Sequence, residues 1–85
     1  MIFTFTILQP EGSVRTFSIL SESVVECLDE ITPILQFGRS LLFASFKKDN
    51  GVLKILPVKV AEGESLTDYI YRLHEEWVFC VEQQV

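Results

Sequence analysis

Apolar and polar positions alternate from the start of the chain. Phe3, Phe5 and Ile7 fall on one side of an extended backbone, with Thr4 and Thr6 on the other, the period-two pattern of a half-buried strand. Gln9-Pro10-Glu11-Gly12-Ser13 interrupts the pattern with turn chemistry, and Val14 to Leu20 resumes it. Phe17 and Ile19 match the core side and Thr16 and Ser18 the polar side, so residues 2–20 are predicted to form a β-hairpin.

The period then changes. Ser23, with Glu26 three positions on, supplies a capping box for a helix whose apolar stripe is Val24, Leu28, Ile31 and Leu35. Pro33 sits inside this stripe's span, on the solvent side. It removes the hydrogen bond to the Asp29 carbonyl, which predicts either a kink or two helical pieces. Phe37-Gly38 closes the element.

Ser40 to Phe46 reads as a strand, although Leu41, Leu42 and Phe43 run consecutively and put apolar groups on both faces. Asn50-Gly51 is a strong hairpin signal, and its composition predicts a type I′ turn with both residues at positive φ. A fourth strand is predicted over Val52 to Val60, at an edge or bulged, because Pro57 cannot donate to a ladder. Ser65 with Asp68 resembles a second cap, ahead of a stripe of Leu66, Ile70, Leu73, Trp77 and Val81 flanked by Tyr69 and Cys80. That stripe runs unbroken through Trp77-Val78-Phe79-Cys80-Val81, which favours a helix to about Val81. The strand-like composition of those five residues is the competing reading, and the ambiguity extends over residues 77–83.

The order is ββα followed by ββα. The predicted fold is α+β, a two-layer sandwich in which a four-stranded, mainly antiparallel sheet carries two helices on one face. The correspondence between the halves is architectural, with no residue-level repetition.

Composition narrows the picture. At 85 residues with 48% apolar content, residues 1–85 form one small domain, and apolar burial nearly balances the entropy of ordering the chain. Charged residues at 22% are too few for disorder, and no apolar run approaches the roughly 20 residues that span a bilayer. The N-terminal segment lacks the basic stretch of a signal peptide, so a cytoplasmic location is expected, with Cys27 and Cys80 reduced. Seven basic against twelve acidic residues argue against direct nucleic-acid binding.

Candidate chemistry is sparse. His74 is the single histidine, and the position that would complete a zinc-protease helix is Val78, so neither a metal site nor a cofactor is expected. Cys27 stands among Glu26, Asp29 and Glu30, which disfavours a thiolate, and Cys80 lies beside an apolar stripe; both read as small core residues. The four glycines are isolated, so no phosphate-binding loop is present. An RNA-recognition sheet is excluded by the element order and by the Thr and Ser of the first hairpin's open face.

Surface character carries what remains. Leu41, Phe43, Leu56 and Val58 are expected on the open side of the sheet, and Tyr71 and Phe79 point away from the helical stripe. These six are the candidate interface of a non-enzymatic protein-interaction domain that associates with itself as a closed homodimer, through a sheet face or edge, or with another protein partner. Glu26, Asp29 and Glu30 form a candidate acidic face, most simply a solvated one. The alternative it offers is an acidic inhibitor of a nucleic-acid-binding protein. A further alternative is a ligand-binding or enzymatic site formed only across a dimer, which a cavity lined by Tyr69, His74 and Trp77 would favour.

Overall fold

The computed structural model describes residues 1–82. It contains β1 (Ile2–Leu8), β2 (Val14–Leu20), α1 (Val24–Gln36), β3 (Ser40–Lys47), β4 (Leu53–Leu56) and α2 (Leu66–Glu82). The strands form one antiparallel sheet in the order β2-β1-β3-β4. Phe3, Phe5, Ile7, Ala44, Phe46 and Leu56 bury one face of it against the apolar stripes of both helices, the α+β two-layer sandwich expected from the pattern. Trp77 lies at the centre, its ring 5.8 Å from that of Phe5. No helix among the described residues is long and apolar enough to cross a membrane.

The helices start and stop where local chemistry dictates. The Ser23 hydroxyl accepts the Glu26 N–H at 3.2 Å, and the Glu26 carboxylate reaches back to the Glu22 N–H. At the second helix the Ser65 hydroxyl accepts the Asp68 N–H at 3.1 Å. Helix α1 passes through Pro33 as one element and does not divide. Pro33 is exposed there, and Thr32 Oγ1 donates to the Leu28 carbonyl. Gly38, at φ 83°, takes the left-handed conformation that ends α1. Residues 77–82 are helical, which resolves the strand alternative over that stretch; Gln83 lies outside the described residues.

Three expectations are corrected. The Asn50-Gly51 turn is not type I′, since only Gly51 has positive φ. Asn50 instead uses its side chain to accept the Val52 N–H, so a left-handed glycine alone closes the hairpin. The fourth strand ends at Leu56, four residues short of Val60, because Pro57 cannot extend the ladder. Leu41 and Leu56, expected on the open side, are core residues at 8% and 1% exposure.

A β-bulge explains Leu41. Thr6 pairs with Phe43 but Ile7 pairs with Leu41, so Leu42 is an extra residue that reverses the alternation. Leu56 pairs with core-facing Ala44, which sends Ile55 to the opposite side beside Ser45.

The two hairpins are related by an approximate two-fold axis between the paired residues Phe5 and Ala44. Exchange of the hairpins interchanges the pairs Thr4–Ser45 and Thr6–Phe43. Both hairpins close with one hydrogen-bond pattern, Gln9 N–H to the Ser13 carbonyl and Gly12 N–H to that of Gln9, then Lys48 to Val52 and Gly51 to Lys48.

Candidate functional site

The helix-free face of the sheet carries apolar and hydroxyl side chains and a single charge. Successive rows across the strands read Leu20-Ile2-Lys47-Leu53, then Ser18-Thr4-Ser45-Ile55, then Thr16-Thr6-Phe43. At its centre two hydroxyl pairs satisfy each other, Thr4 with Ser18 at 2.9 Å and Thr6 with Thr16 at 3.0 Å. Around them Leu20 and Ile55 stand 82% and 70% exposed, and Ile2, Leu42, Phe43 and Leu53 are also exposed. Lys47 is the one charge in these rows. The paired hydroxyls lose little when water is removed and the apolar groups gain, whereas the Lys47 ammonium has to keep its contact with solvent.

The candidate interface does not form one patch. Phe43 belongs to the open face, whereas Leu41 and Leu56 are buried and Val58 packs half-buried against the core. Tyr71 and Phe79 are exposed on α2, in the layer on the far side of the sheet. Leu20, Leu53 and Ile55 are the exposed residues that replace the buried ones; Leu20 is in step with Thr16 and Ser18 and so follows from the period-two pattern of β2, whereas that pattern alone does not separate Leu53 and Ile55 from core residues. The signal that finds Leu53 and Ile55 is register: Ile55 opposite Ser45 and Leu53 opposite Lys47.

Glu26, Asp29 and Glu30 are exposed on α1 as expected, but Glu26 is committed to the helix start, accepting from Ser21 Oγ and the Glu22 N–H. Tyr69, His74 and Trp77 are not brought together. His74 is half-buried in the groove between the two helices, beside Thr32 and Ile70. Tyr69 and Trp77 are buried, and their polar atoms tie α2 to the segment after β4: Trp77 Nε1 donates to the Pro57 carbonyl at 2.7 Å and the Tyr69 hydroxyl to that of Val58. Arg72 completes the attachment, donating to the Lys59 carbonyl at 2.6 Å and pairing with Glu64 and Glu76 at 2.7 Å each.

Ionisation follows these contacts. Hydrogen bonds from Arg72 hold the Glu64 carboxyl down at about 2, and Glu64 in turn raises the Arg72 guanidinium further. Burial, with the nearby Glu30 charge, pushes the Cys27 thiol up to about 12, a setting that suppresses thiolate at neutral pH. Burial likewise raises Tyr69. Among the described residues no group of three or more His, Cys, Asp and Glu side chains is placed to hold a metal ion.

Compared with known proteins, the chain matches no family model, no curated protein and no solved structure.

Proposed function

We propose that this chain is a non-catalytic protein-interaction module that pairs with a second copy of itself through the open face of the sheet, as a closed two-fold dimer. The observation that carries the reading is a face of self-paired hydroxyls rimmed by exposed Ile2, Leu20, Phe43, Leu53 and Ile55, with Lys47 as the one charge in its rows. Such a face is complementary to itself, which is what a two-fold interface requires. The non-catalytic part of the reading rests on the groups with shifted ionisation: Cys27 is buried, Tyr69 holds a backbone carbonyl, and Arg72 is paired with Glu64.

Size sets the strength. Four strands about 4.8 Å apart, with about 3.4 Å per residue, present a face on the order of 450 Å². Two such faces cover roughly 900 Å², below the usual range of about 1,200–2,000 Å² for stable complexes, so the dimer is expected in the micromolar range. Light scattering over a concentration series tests this. The wild-type mass should rise towards twice the monomer value, whereas Phe43→Lys and Ile55→Lys should stay monomeric with unchanged circular dichroism. A wild-type chain that remains a monomer at about 1 mM overturns the reading.

A further inference from the structure

The sheet has two free edges, and they are not alike. The β4 edge is four residues long, carries Lys54 and stops at Pro57, all features that discourage strand pairing. The β2 edge is seven residues long without a proline. Its phase is fixed by the bonds at either end, Gln9 to Ser13 and Ser21 to Met1. In that phase residues 15, 17 and 19 bond to β1, and the N–H and C=O groups of Thr16 and Ser18 point outwards.

Beside this edge, on the helix side, lies a cleft of about 390 Å³ between β2 and the end of α1. Its walls include Ile7, Phe17, Pro33, Ile34 and Phe37, and Arg15 and Arg39 also line it. The chain has three arginines, and Arg72 is taken by Glu64 and Glu76. Among the described residues neither Arg15 nor Arg39 forms an ion pair. Glu11 is held by the Ser13 hydroxyl, and Arg39 is the weakest influence on it. A protein of net charge −5 thus places its two unpaired arginines in one apolar cleft next to an unpaired strand edge.

We propose that the β2 edge and the Arg15/Arg39 cleft form a binding site for an extended acidic-apolar peptide segment, which adds to β2 as a fifth strand and places one carboxylate between the two arginines. Strand addition satisfies the outward groups of Thr16 and Ser18, and alternate side chains of the added strand enter the cleft. Arginine suits a carboxylate there because its planar fork gives two parallel hydrogen bonds at low hydration cost. A second copy's β2 is a poor occupant, since Val-Arg-Thr-Phe-Ser-Ile-Leu brings an arginine and no acid. This site is on the opposite side of the sheet from the open face and does not depend on dimerisation.

The test is selection of a random nonapeptide library, displayed on phage, against the full chain, with counter-selection on the Arg15→Glu, Arg39→Glu double variant. Recovered peptides should carry Asp or Glu with apolar residues two positions to either side. They should bind Arg39→Gln about tenfold or more weakly, and shift the Thr16 and Ser18 amide resonances. Arg39→Gln also serves as the counter-selection target if the double variant does not fold. An empty selection, peptides without an acid, or equal retention by the variant overturns the site. If octanoate binds the cleft as tightly as the peptides without moving the Thr16 and Ser18 amides, the occupant is a small carboxylate and strand addition is wrong.

Discussion

Arg72 is one of three residues, with Tyr69 and Trp77, through which α2 holds the non-ladder segment after β4. Its guanidinium also lies 5.6 Å from the centre of the Tyr69 ring, so charge, hydrogen bonds and an aromatic face all act on one group. The Glu64 partnership has a defined pH signature. The carboxyl is lowered from 4.5 to about 2 in the folded chain, so folding favours its ionised form. The stability it adds is present above about pH 4.5 and disappears as the pH falls towards 2. Urea midpoints of wild type and Glu64→Gln should therefore differ at about pH 6 and converge near pH 2. A difference that stays constant over that interval removes the ion pair as its cause.

At the level of single elements, α1 carries an identifiable defect. Pro33 withholds a donor from the Asp29 carbonyl in the penultimate turn, at an exposed position on the wall of the Arg15/Arg39 cleft. Proline costs about 3 kcal/mol against alanine in a helix interior, partly offset by the freedom it removes from the unfolded chain. Pro33→Ala should stabilise the protein by about 2 kcal/mol, read as a higher thermal midpoint. Both helices were legible in the sequence because their determinants are local: Ser23, Ser65, Gly38 and one stripe each at helical spacing. The second hairpin was legible only in outline. Whether Leu41 or Leu42 faces the core depends on a bulge, and a bulge is a property of two paired strands, not of either alone. The same limit hid the β3–β4 part of the open face, since Ile55 becomes exposed through its pairing with Ser45, whereas the Thr and Ser of the first hairpin already marked the rest. Arg15 did carry a local signal: it occupies the core-side phase of β2, in step with Phe17 and Ile19, where an apolar residue is the rule. Arg39 carried none, because only the fold brings it across from Arg15.

For the molecule as a whole, the strand order sets where stability is concentrated. β1 is paired on both sides and supplies Phe3, Phe5 and Ile7 to the core; β3 is likewise paired on both sides. Amide hydrogen exchange should be slowest in β1 and β3 and fastest among the strands in β4, which has one neighbour and four residues. Equal protection across all four strands would mean that the sheet opens only as a unit. The free surfaces divide by chemistry: a face of hydroxyl and apolar groups with Lys47 as the one charge in its rows on one side of the sheet, and a basic, apolar cleft at the β2 edge on the other.

The central seam between β1 and β3 also bears on the order in which the chain can fold. The β1–β2 hairpin is complete once Leu20 is made, and α1 can cover its apolar side once Gln36 is made. The inner edge of β1 still has no partner at that stage, because Ile2 must wait for Lys47. During synthesis from the N-terminus, the emerging half therefore holds open a strand edge that finished molecules conceal. That interval is when a chain of this kind is most exposed to pairing with a neighbour on the same message, and it ends only when β3 emerges.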